Sequence, residues 1–467
     1  MEKHVDVAII GAGSAGLYAL SQVRKATQSY VLIDGGVLGT TCARVGCMPS
    51  KAAIQVGENL HIRGLFDRMG IEGGDALGLN GPEALEHVRD LRDIFVDKVL
   101  SNSTDKMGEE FLAGHARFLS PTELQVDENR IHARTVVIAT GSRPVVPGDW
   151  KAYGDRILTT DELFELEDLP ASLAVIGLGT IGLEMGQTLA RMGVDVTGVD
   201  QLDHIAGLQD PEVRQAAIDI LGKEFPLWLG TAAQISEEDG GLRIRAGEQS
   251  VVVDRVLAAM GRRPNVQGLG LENLGVDLDE RGLPAFNPNT MQVGDLPVFI
   301  AGDVTGEAAI LHEAGTEGRI AGFNAVQERA VAFRRQTPLA INFCDPNIAV
   351  AGTAWNDLDP DRTAVGEVKL GPLGRALIMG RNKGMIRVYA DKEDGRLLGA
   401  SLIAPRGEHL AHLLAWSIQQ RLTVFDLLRM PFYHPTIEEG LQAALYDLQG
   451  QITRQPEAPV ELERLQP

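Results

Sequence analysis

Three cysteines in 467 residues are too few to staple a fold of this size, so no disulfide framework holds the chain together. Long apolar runs are missing too. None approaches the roughly 20 residues that a bilayer-spanning helix needs, and the chain passes almost at once into the strand pattern Val5 to Ile10. No membrane partner and a cytoplasmic location are therefore expected. Basic clusters are also absent. With 43 Lys and Arg against 64 Asp and Glu, the net charge is -21, a field that repels nucleic acid and anionic lipid. No nucleic-acid partner is expected. Zinc-type ligand spacing is lacking around the cysteines, because no further Cys or His follows nearby, so no metal is expected.

What is present is concentrated in a few short segments. Cys42 and Cys47 stand in Thr41-Cys42-Ala43-Arg44-Val45-Gly46-Cys47-Met48-Pro49-Ser50-Lys51. A regular helix points side chains at that spacing in different directions, whereas a disulfide needs Cβ atoms about 4 Å apart. A redox pair here requires a distorted backbone, which Gly46 and Pro49 permit. Spacing alone leaves two unrelated buried thiols equally open, and the neighbourhood turns the balance toward redox chemistry. Cys344 is left over and is expected to be inert.

The length allows about three domains, and a repeat organises them. Val5 to Ile10 leads into Gly11, Gly13 and Gly16, a helical stretch, and a strand from Tyr30 ending at Asp34. Leu173 to Ile176 leads into Gly177, Gly179 and Gly182, a helix through Arg191, and a strand from Val194 ending at Asp200. The acid follows the first glycine by 23 residues in both copies. Such glycines let backbone amides approach a pyrophosphate, the helix N-terminus favours its charge, and the carboxylate accepts ribose hydroxyls. Two dinucleotides are implied. Each half also carries a hairpin-like insertion, Leu124 to Ala133 and Leu242 to Val253, and then a glycine turn, Gly141-Ser142-Arg143-Pro144 and Gly261-Arg262-Arg263-Pro264. The arginines read more readily as solvated turn residues.

A strand Val298 to Ala301 ends at Gly302-Asp303, before a helical stretch from Leu311 to Val326. Asp303 either caps that helix or bonds a cofactor's sugar chain. Leu85, Val88, Leu91, Phe95 and Val99 recur at helical spacing between Pro82 and Lys106, a packing surface. Between Pro338 and Asp345 the pattern changes, and from there the chain reads as strands, Ala376 to Met379, Met385 to Tyr389 and Leu397 to Ile403, and then helices, a third, α+β domain. The tail after Leu448 reads as loose.

These segments, together with Ala139-Thr140-Gly141 and His434-Pro435-Thr436-Ile437-Glu438-Glu439, resemble in order and spacing the pyridine nucleotide-disulfide oxidoreductases, and within them the dihydrolipoamide dehydrogenases, over about residues 5 to 450. The resemblance implies an α/β chain of two Rossmann-like dinucleotide-binding domains, one for FAD and one for NAD, and a C-terminal α+β dimerisation domain. Its boundaries would be residues 1–150 for the first part of the FAD domain, 151–265 for the NAD domain, 266–340 for the return to the FAD domain, and 341–467 for the interface domain. The cofactor-binding residues would be Gly11, Gly13, Gly16, Asp34, Thr41, Lys51, Thr140, Gly141, Gly302 and Asp303, with Gly177, Gly179, Gly182, Glu184, Asp200 and Gly261.

The same resemblance implies roles for the remaining residues. Cys42 would exchange with substrate, and Cys47 would lie against the flavin as a thiolate. His434 would be the base, reaching the cysteines of the other subunit of a homodimer, with Glu439 orienting its ring. Thr436 to Glu439 is also a capping-box pattern, and a glutamate can begin a helix and still face a histidine. Lys51 and Glu184 would pair near the flavin, where a charged pair must be matched. Asp200, with no Arg or Lys in Gln201 to His204, favours NAD over NADP.

The activity implied is reoxidation of a lipoyl group on a carrier protein with reduction of NAD. Reduction of another disulfide by NAD(P)H is the second enzyme reading, and a FAD-binding scaffold without turnover is the reading of another class. Glutathione reductase fits less well because Asp200 lacks basic company, and mercuric reductase lacks its extra C-terminal cysteine pair here. The chain departs from the dehydrogenase pattern at Thr40, Arg44, Asp34, Asp200 and Tyr433, the last bearing on substrate access.

Overall fold

Apolar stretches without alternation make strands that are buried on both faces, and such strands pair in parallel under helices. In the computed structural model, which describes residues 2–238 and 240–463, this is how the first unit is built. Glu2–Ile10 lies between Tyr30–Asp34 and Asn129–Ile138, parallel to both. Phe111–Ala113 and Val298–Ile300 add parallel strands, and Ala116–Ser120 with Glu123–Val126 extends the sheet antiparallel, seven strands in all. The second unit centres on Ser172–Ile176, flanked in parallel by Asp195–Val199 and Arg255–Ala258 in a five-stranded sheet. A separate antiparallel sheet holds Gln234–Glu238, Gly241–Ala246 and Gln249–Val253.

The third unit is a five-stranded antiparallel sheet ordered Leu339–Asn342, Asn347–Gly352, Leu397–Ala404, Met385–Asp391, Thr363–Lys369. Leu410 and Leu414 from the helix Gly407–Gln419, and Leu441 and Leu445 from Glu438–Gln449, close its core. The expected strand Ala376 to Met379 is instead the helix Gly374–Ile378. A short apolar run does not distinguish the two, and only Ala376 is buried while Leu377 and Ile378 face solvent. The expected loose tail is anchored at two points: Ile452 is buried and Val460 packs against the same core, while Tyr446 Oη donates to Glu461 at 2.7 Å and residues 461–463 are exposed.

Several joints fix the units to one another. Ser142–Pro144 pairs antiparallel with Arg262–Pro264, so the two matched glycine turns form a clasp where the chain leaves and re-enters the first unit. Asp210, fully buried, accepts from Arg387 at 2.7 Å and Tyr389 at 2.5 Å, bolting the second unit to the third. Among the described residues no helix is long and apolar enough to cross a membrane.

Candidate active site

The two glycine fingerprints fold into the same loop. A Cβ on Gly16 would stand 1.8 Å from the Gly11 carbonyl oxygen, and one on Gly182 would stand 1.8 Å from that of Gly177. Those glycines are required for helix and strand to meet. Gly13 and Gly179 are different, because a Cβ there would meet nothing within 4 Å. Each begins a helix, Ser14–Val23 and Thr180–Arg191, without any side-chain cap, so the first-turn amides face open space at a positive helix end. Both cradles therefore fit a dinucleotide pyrophosphate. The paired acids steady the loops: Asp34 accepts from Ala12 N at 2.6 Å and Gly36 N at 2.7 Å, and Asp200 accepts from Leu178 N at 2.6 Å and Leu202 N at 2.9 Å.

Between the cysteines the backbone breaks. The turn Thr41–Arg44 stops at Val45, Gly46 takes φ -123° and ψ -115°, and a new helix runs Cys47–His61. Pro49 lies in its first turn, where a missing amide hydrogen is tolerated. Thr40, at φ 65°, starts the first turn and accepts from Ala43 N at 3.2 Å. Thr41 itself is exposed. This break brings the two half-buried thiols into a hydrogen bond. The bond from Cys42 lowers Cys47 to about 7, against burial and with help from the Lys51 ammonium. Cys42 is pushed well up by the same bond and by burial. The lower pKa of the pair thus falls on Cys47, at a helix N-terminus that favours an anion.

Lys51 follows Cys47 by one helical turn and pairs with Glu184 at 2.7 Å. Glu184 is 3% exposed, and its other oxygen accepts from Phe343 N at 2.9 Å, with the Lys51 ammonium 4.8 Å from the Phe343 ring centre. One ion pair therefore joins the helix of the redox pair, the second nucleotide unit and the entry to the third unit.

The clasp brings together Thr140, Gly141, Gly261 and Asp303. Thr140 Oγ1 donates to Asn265 O at 2.7 Å and Asn265 Nδ2 donates to Thr140 O at 3.0 Å, while Gly141 and Gly261 take positive φ with nothing over their Cα atoms. Asp303 does not cap the long helix, which begins only at Leu311; it accepts from Ser142 Oγ at 2.7 Å. Gly302 approaches Ala15 so closely that a Cβ would stand 2.6 Å from that side chain. The expected solvated arginines are corrected as well. Arg262 donates to Ser142 Oγ at 2.7 Å and Ser142 O at 2.8 Å beside Asp303, and Arg143 donates to Asn265 at 2.9 Å. Only Arg263 stays exposed. Ser142, Asn265 and Phe343 were not singled out from sequence; the matched glycine turns were the available signal for the first two.

His434 Nδ1 lies 2.8 Å from Glu439 Oε1, and the second Glu439 oxygen accepts from Thr436 N at 3.0 Å. Glu439 thus serves the helix start and the histidine together. Its carboxyl is held below the usual range by the His434 bond first and the Thr436 amide second. Thr436 does not complete the capping box, since its hydroxyl donates to Tyr433 O at 2.8 Å. His434 is 81% exposed and Tyr433 82% exposed. Among the described residues of one chain, no hydrogen bond or ion pair links His434 to the cysteines. Cys344 is buried, its thiol pushed up by burial and bonded to Pro346 O at 3.1 Å.

Comparison with known proteins matches this geometry. Residues 5–318 match the family described as pyridine nucleotide-disulphide oxidoreductase, and residues 339–445 match its dimerisation domain. The chain is 30% identical to a dihydrolipoyl dehydrogenase of Thermus scotoductus, covering 96% of this chain and 98% of that one. It is 27% identical to a mercuric reductase of Staphylococcus aureus, covering 94% of this chain and 81% of that one. Among solved structures, LpdA of Mycobacterium tuberculosis superposes with a TM-score of 0.82 at 23% identity, covering 95% of this chain and 99% of that one. The flavoprotein disulfide reductase RclA of Escherichia coli, as its Cu(II) complex, gives 0.82 at 22% identity over 96% and 99% of the two chains.

Proposed function

The chain belongs to the pyridine nucleotide-disulphide oxidoreductase family, and from that premise we propose that it is an NAD-linked dihydrolipoyl dehydrogenase whose active site is completed by dimerisation. The family assignment makes it a flavoprotein disulfide oxidoreductase that uses FAD and a pyridine nucleotide and carries a dimerisation domain. The observations that support the finer reading are the asymmetric thiol pair, Cys47 lowered to about 7 and Cys42 raised, and, elsewhere on the chain, an exposed His434–Glu439 dyad.

In the oxidised enzyme a dithiol thiolate attacks Cys42 Sγ. The Cys42–Cys47 bond breaks, and Cys47 departs as the thiolate that its environment favours. The second substrate sulfur then displaces Cys42 and closes the substrate disulfide, leaving both electrons on the cysteine pair. Two protons leave the dithiol in this exchange: that of the second sulfur passes to Cys42, whose raised pKa keeps it a thiol, and that of the attacking sulfur is released beside Cys42. His434 of the partner subunit takes the one released beside Cys42, its Nδ1 held by Glu439 and its Nε2 free for the transfer. Glu439, ionised, stabilises the imidazolium. A flavin held by the Gly11–Gly16 loop would supply the hydride chemistry toward NAD+ that thiols do not perform alone. The Lys51–Glu184 pair keeps a matched charge beside that path, and Asp200 selects the unphosphorylated ribose.

A mercuric reductase reading is disfavoured by the third cysteine, which is buried against the Pro346 carbonyl and supplies no second thiol pair. The deciding assay offers purified holoenzyme dihydrolipoamide with NAD+, and in parallel mercuric ion or glutathione disulfide with NADH or NADPH. Dihydrolipoamide oxidation should exceed the others by at least about tenfold, and a lipoylated carrier protein should be a better substrate than free dihydrolipoamide. Inactivity toward dihydrolipoamide with NADH-driven reduction of another disulfide would overturn the lipoyl reading and leave the thiol roles intact.

A further inference from the structure

The first strand opens with Glu2 and His4 on the face opposite buried Val5, and on its parallel neighbour His132 occupies the face opposite buried Ile131 and Ala133. Register pairs His4 directly with His132. Their rings stack at 4.6 Å between centroids and 12° between planes, and His132 Nε2 lies 2.8 Å from Glu2 Oε1. One ligand atom from each of the three residues falls within 4.8 Å of the others. No hydrogen bond from the His4 ring to any described residue accompanies the stacking. Two imidazoles and a carboxylate converging at these strand ends take no part in the core, which on these strands begins with Val5 and Ile131.

We propose that Glu2, His4 and His132 form a binding site for one divalent transition metal of the imidazole-preferring class, for which zinc is the probe. Two nitrogens and one carboxylate oxygen, with water in the fourth position, suit such an ion. Zinc–nitrogen bonds of about 2.0–2.1 Å place tetrahedral ligands about 3.3 Å apart. Glu2 and His4 are exposed and His132 is partly buried, and side chains at these strand ends need to close by roughly 1–1.5 Å to reach that spacing, within the reach of small rotamer adjustments. Cations on the same two strands are already engaged: Lys3 donates to Glu109 O, Arg130 pairs with Glu123 at 3.1 Å, and Arg134 donates to Ala325 O at 3.1 Å. Seven residues at about 3.3 Å each put His4 about 23 Å from Gly11, so the ion would sit apart from the first dinucleotide cradle. It would tie the first residues of the chain to the strand Asn129–Ile138.

The test is equilibrium dialysis of oxidised holoenzyme against zinc, with Cys42 and Cys47 held as a disulfide so that their thiolates do not compete. One zinc per chain is expected. His4→Ala and His132→Ala should each weaken binding by at least about tenfold, and Glu2→Gln by less, with flavin content and NADH oxidation unchanged. Zinc should also raise the thermal midpoint of the wild type and not of His4→Ala, because a ligand that binds only the folded state stabilises it. Absence of zinc uptake by the wild type, or equal uptake by His4→Ala, would overturn the site.

Discussion

The two nucleotide-binding units share one loop and differ in everything that encloses it. Asp34 and Asp200 take the first loop amide at the same 2.6 Å, and Gly13 and Gly179 leave the same opening. Behind the first loop, the helix Ser14–Val23 meets Leu311–Asn324 with no room for side chains: a Cβ on Gly318 or Gly322 would stand 2.3 Å from the carbonyl oxygen of Ala15 or Ala19. The strand Val298–Ile300 then delivers Gly302 and Asp303 to the same edge. Chain from beyond the second unit thus returns to close the first cradle. The second cradle receives no returning strand. Its helix Thr180–Arg191 backs onto Cys47–His61, with Gly57 against Thr188, and so touches the element that carries the redox pair. Identical local chemistry is therefore built once as an enclosed holder, suited to a resident cofactor, and once as an open shelf, suited to one that exchanges.

The largest expected effect breaks that comparison at its origin. Gly13→Ala and Gly179→Ala each place a methyl group in open space, so neither disturbs packing, and each blocks only the approach of a pyrophosphate. Gly13→Ala should yield folded, nearly colourless protein with flavin content reduced at least about tenfold, while Gly179→Ala should stay yellow and lose NADH-driven flavin reduction. Absorbance spectra with circular dichroism decide. Flavin loss from Gly179→Ala would show that the second cradle does not serve the exchanging nucleotide.

Next in size is the separation of the half-reactions. His434→Gln should slow dihydrolipoamide oxidation on the order of 100-fold or more, as loss of a positioned base does, and leave NADH-to-flavin transfer nearly intact. Glu439→Gln should show a milder form of the same defect. Stopped-flow measurement of both steps is the check, and equal loss in both would make the His434–Glu439 dyad structural.

Asp200 distinguishes the open shelf by its ligand. NADH should outperform NADPH by at least about tenfold, since one desolvated charge conflict with the extra phosphate exceeds roughly 1.4 kcal/mol. Both carboxylate oxygens also hold loop amides, so Asp200→Ala should narrow the gap mainly by weakening NADH. Steady-state kinetics with the two nucleotides measure it.

The loops, their helices and both acids were legible because each is written in consecutive residues: glycines that admit no Cβ, an apolar strand before them, an acid at a fixed distance after. The cysteine break was legible for the same reason. Contacts across units were not. Asp303 stayed open between a helix cap and a cofactor contact because the eight residues before Leu311 give no sign of Ser142, which the clasp delivers from 161 positions away. Arg262 read as solvated until its turn paired with Ser142–Pro144. His4 and His132 are single histidines in sequence and become neighbours only through strand register. Ala376 to Met379 failed differently, as an apolar run too short for its period to distinguish helix from strand.

The smallest effect tests the joint between the two units, where Lys51 comes from the first and Glu184 from the second. Lys51 lowers the Cys47 thiol and Glu184 raises it, both acting through charge, beneath the larger hydrogen bond from Cys42. In the two-electron-reduced enzyme the Cys47 thiolate should persist above about 7 and be lost as pH falls through that value, because a lowered thiol pKa means the anion is favoured down to it. Titration of the long-wavelength thiolate-to-flavin absorbance reads this directly. Lys51→Met should move the midpoint up by about one unit, the scale of one nearby opposite charge, and Glu184→Gln should move it down by less. Opposed shifts would mean that each unit tunes the thiolate from its own side of the ion pair, whereas unchanged midpoints in both variants would assign the lowering to the Cys42 hydrogen bond and the helix end alone.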